Sequence, residues 1–384
     1  MSFIHDKKYC IIGDEPGLGK TVQALKACYD KGFKTLIICP AYLKRNWINE
    51  VTKFCKFLEY EVVAYSQNKP FPPGFDAVIV DESSYIKSLK AQRTMKVHRY
   101  VAVHKPQYLV LLNGSPIKNR VEELYSQVVI VYPAITKKYP SIWSFLNRFS
   151  NRTVKRYGSQ EYVSYEGHRN IDELKSILQH CMIRRKADTV LDLPKINQKK
   201  VVVSYAEDKK LQQEWDDYIA GKRAKDGTAK KDSAIRKAGF TAQYVLDLIS
   251  SGTYPVVVFS CHPDAVESIF DDLAAKHIRV RKVIGATPMD QRSDIVKDLQ
   301  DGLIEVVVAS LTAFNTGWTG TKASNMVFND VHWVPEDNTQ AAKRIHRIGQ
   351  DKPVFYHFVV GSKVDDHIID ANMGKKQLIN AVMN

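Results

Sequence analysis

The sequence predicts an α/β protein with two parallel sheets in tandem and a helical insertion between them. Three observations carry that expectation. Short apolar runs alternate with helical stretches twice along the 384 residues, before about residue 115 and again after about residue 255. A Gly-rich turn follows the first apolar run, and no second one follows any run in the later half. Between the two lies a basic stretch in which helix-spaced residues outnumber strand signals.

Composition bounds the rest. With 44% hydrophobic and 26% charged residues, a chain of this length can bury two or three cores. The net charge of +14 favours a polyanionic partner, and it is unevenly placed: residues 137–200 hold 14 Lys and Arg against 6 Asp and Glu, a net +8. Cys10, Cys28, Cys39, Cys55, Cys181 and Cys261 are scattered without a C-x-x-C pair and read as reduced core thiols. No run approaches the roughly 18 apolar residues of a membrane span, and Met1 to Lys8 lacks the apolar region of a signal peptide. A soluble, intracellular protein without a membrane partner is the expectation, nuclear if eukaryotic and cytoplasmic if bacterial or viral.

The first element is the strand Tyr9–Ile12, which enters GDEPGLGKT and then a helix spaced by Val22, Ala24, Leu25 and Ala27. In such a strand–loop–helix, Gly17, Leu18 and Gly19 offer backbone amides to a triphosphate, Lys20 reaches its outer phosphates and Thr21 can hold Mg²⁺ at the positive helix end. A nucleoside triphosphate is the ligand this implies. The usual spacing wants glycine where this chain has Asp14. With that acidic start, DEPGLGKT resembles the phosphate loop of SWI/SNF-type superfamily II DNA translocases, and the resemblance implies two RecA-like lobes, ATP and Mg²⁺.

Next come the strand Thr35–Cys39, stopped by Pro40, and a helix carrying Leu43, Trp47, Ile48 and Val51 on one face. In the resembled family this junction touches the DNA backbone, which makes Lys44 and Arg45 candidates; a solvated helix start explains them as well. The strand Ala77–Val80 delivers Asp81 and Glu82 at its carboxyl end, 61 residues after Lys20, where parallel sheets place ligands. Asp81 is the candidate Mg²⁺ ligand and Glu82 the candidate base for the attacking water. The strand Tyr108–Leu112 ends in NGSPIKN, similar to the T-G-T-P turn of the family.

Residues 122–132, 141–149 and 171–183 then read as helices around a Tyr- and Gly-containing loop. MIRRKADTVLDLPK resembles the arginine-rich signature after the family's first helical protrusion, and the Tyr- and Gly-rich lead-in with NIDEL resembles the HepA-related annealing-helicase branch. Arg184 and Arg185 are candidate phosphate contacts, with a salt-bridged lobe contact as the alternative. Residues 222–237 are polar and basic and read as an exposed loop.

The later strands begin at VVVFS, whose Ser260 is a candidate nucleic-acid contact, and continue through VRKVIG, IEVVVAS and ASNMVFND. QAAKRIHRIGQ places Gln340, Arg344 and Arg347 at i, i+4 and i+7, one face of a helix. It resembles the arginine-finger motif of the family, which gives all three a catalytic role. NTGWT, residues 315–319, and WVP, residues 333–335, depart from the family's wording, but Gly317 and Trp333 match its nucleotide and DNA positions.

The resemblance divides the chain into residues 1–135, 136–198 and 199–384: ATP-binding lobe, helical protrusion and C-terminal lobe. It implies an ATP-dependent double-stranded DNA translocase that remodels branched or forked DNA. A strand-separating helicase on single-stranded DNA or RNA is the alternative, with Trp47, Trp318 and Trp333 as its stacking platforms. Met1 to Lys8 leaves no room for the family's adenine-reading helix and its Gln, so the nucleotide is expected to be gripped by its phosphates unless a segment precedes them.

Overall fold

The computed structural model describes all residues except 118–119, 158–159, 205–208, 210–211, 214–215, 217–226, 315–316 and 384; side-chain burial is likewise undescribed for residues 155–160, 162, 188, 227–228 and 374–383. It divides into two compact units, Met1–Val190 with Lys375–Asn384, and Leu191–Gly374.

The first unit is built on six parallel strands. In chain order these are β1 (Tyr9–Ile12), β2 (Thr35–Cys39), β3 (Tyr60–Ala64), β4 (Ala77–Asp81), β5 (Tyr108–Leu112) and, after an intervening hairpin of β6 (Asn151–Tyr157) and β7 (Gln160–Glu166), β8 (Met182–Ile183). They stand in the order β3-β2-β4-β5-β1-β8. The central strands are apolar throughout because a parallel sheet covered on both faces leaves no residue for water. Alternate residues serve opposite cores. Ile11, Ile38, Val80 and Leu111 pack with Val97, Leu124, Phe145, Phe149, Leu174 and Leu178, whereas Ile12, Ile37, Ile79 and Leu112 pack with Leu25, Trp47 and Val51.

Three local expectations change here. The segment between residues 136 and 190 is not wholly helical: besides the helices Ile142–Phe149 and Ile171–Gln179 it holds the antiparallel β6–β7 pair. Thr, Val and Tyr flanking a Gly-Ser dipeptide favour a hairpin, a signal that the tyrosines and charges of the stretch obscured. Met182 and Ile183 leave the helix and extend the main sheet beside Ile11 and Ile12. Ser2–Lys7 also forms a short helix, α1, seated by buried Ile4 and by the His5 Nδ1–Tyr108 hydroxyl contact at 2.9 Å; it contains no Gln.

The second unit holds another six-stranded parallel sheet. Its strands are β9 (Ile196–Val202), β10 (Val256–Ser260), β11 (Val280–Val283), β12 (Val306–Ser310), β13 (Asn325–Phe328) and β14 (Val354–Val360), in the order β11-β12-β10-β13-β14-β9. Val257, Phe259, Val307, Ala309, Met326 and Phe328 face one core; Val256, Val258, Val306, Val308 and Val327 face the other.

The loop expected at 222–237 is corrected over its described part: Gly227–Arg236 is helical. Its inner face is made of Ala229, Lys230, Ser233 and Ala234, and Lys237 follows it, all buried, a pattern that hydropathy reads as solvated. Lys237 is fully buried because its ammonium donates to Asp365 Oδ1 at 2.6 Å and to the Val359 carbonyl at 2.9 Å. Residues 222–226 of that stretch lie outside the described residues.

Candidate nucleotide site

In the first unit the loop from Gly13 to Gly19 joins β1 to the helix α2 (Lys20–Tyr29). Gly17 (φ 93°) and Gly19 (φ 72°) take the left-handed conformations that only glycine adopts without strain, the backbone that a phosphate-binding loop needs before a helix. Lys20 folds its ammonium onto the loop's own carbonyls, donating to Asp14 O at 2.7 Å and Glu15 O at 3.2 Å. The NGSP turn closes over it: a Cβ on Gly114 would sit 3.1 Å from Pro16 Cγ and 3.6 Å from Lys20 Nζ.

Asp14, where the common pattern has glycine, is fully buried and has a built environment. Arg185 Nε donates to both of its carboxylate oxygens at 3.1 Å, the Arg185 backbone N–H adds a bond at 3.0 Å, and Gln23 Nε2 donates at 3.1 Å. Arg184 donates to the carbonyls of Gly13 (2.9 Å) and Gly114 (3.1 Å). The segment that follows the insertion therefore brackets the phosphate loop. Arg184 and Arg185 thus both make contacts within the first unit.

Asp81 ends β4, two strands from the loop, and Glu82 follows at φ 48°, a left-handed conformation uncommon for a side-chain-bearing residue and typical of strained functional turns. The Glu82 N–H donates to Asp81 Oδ1 at 2.9 Å, and Trp47 Nε1, from the buried face of α3 (Lys44–Phe54), donates to Asp81 Oδ2 at 2.8 Å. Burial, and after it the neighbouring Glu82, pushes the Asp81 carboxyl up to about 7; the Trp47 and Glu82 N–H bonds and the Lys20 charge pull the other way. Two adjacent carboxylates, one of them reluctant to ionise, and the hydroxyl of Thr21 at the start of α2 are hard oxygen donors of the kind Mg²⁺ takes when phosphates and water complete its shell. No group of three or more His, Cys, Asp and Glu able to hold a metal ion occurs among the described residues.

Two residues that the sequence did not assign to this edge hold it together. Trp47 is one. Gln127 is the other: its Oε1 accepts from the Ser83 hydroxyl at 2.6 Å and from Asn113 Nδ2 at 3.4 Å, while its Nε2 donates to Pro116 O at 3.1 Å, so it ties the residue after Glu82 to the NGSP turn. A lone Gln inside the apolar run Leu124–Val131 was the only signal for it.

In the second unit, the helix carrying Gln340 spans Pro335–Ala342 and stops before both arginines, so the three do not share one helical face. Three-residue bonds tighten the chain there, from Arg344 N–H to Ala341 O and from Ile345 N–H to Ala342 O. The arginines nonetheless converge. Arg344 Nη1 donates to Trp318 O at 3.4 Å; Arg347 Nη1 donates to the same carbonyl at 3.2 Å and to Thr319 Oγ1 at 2.8 Å. Gly317 is exposed at φ 82° in this loop, and Gln340 is buried in its helix. Asn315 and Thr316 lie outside the described residues.

The remaining candidates divide by exposure. Arg45 is exposed and Lys44 half-buried at the start of α3. Ser260 is fully buried, its hydroxyl donating to Asp330. Trp333 is half-buried and edge-on to His367. Trp47 and Trp318 are buried, Trp318 stacked on Phe314 at 4.4 Å.

The SNF2-related domain family matches residues 4–72 and 73–239, and the helicase conserved C-terminal domain family matches residues 241–349. The DNA annealing helicase and endonuclease ZRANB3 of Mus musculus is 28% identical over 422 residues, covering 98% of this chain and 39% of its own. The SWI/SNF-related matrix-associated actin-dependent regulator of chromatin subfamily A-like protein 1 of Xenopus laevis is 28% identical over 397 residues, covering 93% of this chain and 40% of its own. The chain thus spans about two fifths of the length of these relatives. Among solved structures, the Sulfolobus solfataricus SWI2/SNF2 ATPase core in complex with dsDNA covers 96% of this chain and 87% of its own at 18% identity, with a TM-score of 0.42. With the SNF2-related domain matching well over half of its residues, the chain belongs to the SNF2-related family of helicase-type ATP hydrolases.

Proposed function

We propose that this chain is an ATP-driven double-stranded DNA translocase that remodels branched or forked DNA. The observation that carries the reading is the edge of the first sheet, where a Gly-rich loop, Lys20 and the Asp81–Glu82 pair stand at the ends of β1 and β4. The relatives named for DNA annealing, and the +8 excess at residues 137–200, support DNA as the partner.

Binding of ATP would draw Lys20 from the carbonyls of Asp14 and Glu15 to the outer phosphates, while the loop amides take the charge between them. Thr21 and Asp81 would hold Mg²⁺, which supplies charge neutralisation at the phosphates. Glu82 accepts the proton of the attacking water. Arg344 and Arg347 would supply positive charge to the γ-phosphate in the transition state, with Gln340 supporting the turn that carries them. Lys44 and Arg45 meet the DNA backbone, which tracking along a duplex needs more than base contacts.

A strand-separating mechanism would use aromatic platforms; Trp47 and Trp318 are buried, which leaves half-buried Trp333 as its platform. Turnover compared with duplex, single-stranded and forked DNA tests the proposal. Duplex or forked DNA is expected to stimulate hydrolysis most; stimulation by single strands alone would return the function to the strand-separating class.

A further inference from the structure

The first unit carries a second open cavity, about 1350 Å³, which the nucleotide chemistry does not use. It lies between the start of the segment after β2, the loop after β3 and the helix α4 (Gln92–His104). Among the residues lining it there is no Asp or Glu, while Arg93, Lys96 and Arg99 all contribute from α4. Arg99 has no hydrogen-bond or ion-pair partner among the described residues. Lys96 is committed to the wall, donating to Gln67 O (2.8 Å) and Lys69 O (2.6 Å) and lying over Phe71 at 4.3 Å. Arg93 caps a three-layer stack: its guanidinium lies 5.2 Å over Tyr85, which stacks on Tyr65 at 5.3 Å with 8° between the rings. The outer layer of that stack is a planar, exposed cation.

We infer that this groove binds a segment of unpaired, single-stranded nucleic acid, with a base stacked on Arg93 and the flanking phosphates on Arg99 and Lys96. An acid-free wall selects an anion, and a cation held flat on an aromatic pair selects one that also has a planar face; a single strand offers both in alternation, whereas in a duplex the bases are paired away. The floor of the groove also touches the hydrolytic edge, because the Tyr65 hydroxyl donates to the Asp81 carbonyl at 2.7 Å. The inference rests on the DNA-substrate reading above and narrows it: at a branch the groove takes the strand that has lost its partner.

The test is fluorescence anisotropy of a labelled oligothymidine of about a dozen nucleotides on the full chain and on its Arg93→Ala/Arg99→Ala variant. An abasic strand of equal length, a poly-glutamate peptide and a duplex serve as comparators. The variant is expected to lose about tenfold in oligothymidine affinity, from the lost stacking and the lost Arg99 charge together, and roughly 0.7 in the salt slope, the share of the one phosphate contact that Arg99 makes. The abasic strand should bind the parent more weakly, the peptide should not compete, and duplex affinity and DNA-free turnover should hold. Unchanged oligothymidine affinity in the variant, or equal binding of the abasic strand or the peptide, overturns the inference. Should the double variant fail to fold, a strand bearing 5-iodouracil is photocross-linked to the parent. Cross-links are expected in peptides containing Tyr42, Tyr85 or Met95, and cross-links confined to other peptides overturn it. Absence of duplex-stimulated turnover in the parent would remove the proposed function and leave this groove to be judged by the single strand alone.

Discussion

The two sheets use their carboxyl edges in opposite ways. At the first edge, charged side chains rest on groups they can leave: Lys20 on the carbonyls of Asp14 and Glu15, and Asp81 with a carboxyl near the balance between its two protonation states. At the second, the charges nearest the core are sealed. Lys237 and Asp365 form a buried pair, and Asp365 Oδ2 also accepts from the N–H groups of Gly361 (2.9 Å) and Ser362 (3.2 Å). Arg344 and Arg347 both reach the Trp318 carbonyl there, and Arg347 also the Thr319 hydroxyl. One edge is arranged to exchange partners and the other to hold its shape while presenting two arginines.

The sharpest way to break that contrast is to remove a movable charge and a sealed one in parallel. Arg347→Ala should lower turnover about 10³-fold while nucleotide and DNA still bind, because the side chain acts on transition-state charge; an equal fall in nucleotide affinity would make it a ground-state ligand. Lys237→Ala should leave Asp365 charged and unpaired in the core and cost roughly 3–5 kcal/mol of stability in the second unit, read by denaturant unfolding. Combining Asp365→Leu with Lys237→Met should recover much of that loss, since a well-packed apolar pair often matches a buried ion pair.

Arg185→Ala is the next smaller test. It should raise the ATP KM about tenfold by loosening Asp14, on the scale of a lost charge-assisted bond, and leave the salt dependence of duplex binding unchanged. A slope smaller by about 0.9 would instead place Arg185 on a DNA phosphate.

The smallest expected effect concerns pH. With the Asp81 carboxyl up to about 7, the free enzyme holds a proton there in mildly acidic solution, and kcat/KM should fall as pH drops through that value. Because the Trp47 N–H stabilises the ionised carboxylate, Trp47→Phe should move this acidic limb upward, by about one to two units for one hydrogen bond to a charged group. A limb that stays in place would make Trp47 a packing residue only.

What was legible in the sequence follows from which signals are local. Gly17 and Gly19 announce a phosphate loop because no other residue takes their backbone angles cheaply, and TLIIC, AVIVD and YLVLL announce buried strands because nothing else in a soluble core is so uniformly apolar. The partner of Asp14 was not legible: Arg185 stands 171 residues away and reaches it only through the packing of the insertion and the pairing of β8. The helix Gly227–Arg236 was hidden because its inner face is Lys, Ser and Ala, satisfied by distant groups. The convergence of Arg344 and Arg347 was anticipated with the wrong geometry, since helical spacing and a tightened turn both bring such residues together.

The central claim, that the edge of the first sheet is where ATP is hydrolysed with Glu82 as base, is tested most directly by Glu82→Gln. DNA-stimulated turnover and nucleotide affinity should be measured on the same protein, so that chemistry and binding separate. Turnover is expected to fall at least about 10²-fold, the low end for a general base, with ATP affinity within about twofold of the parent. Turnover near that of the parent would contradict the claim.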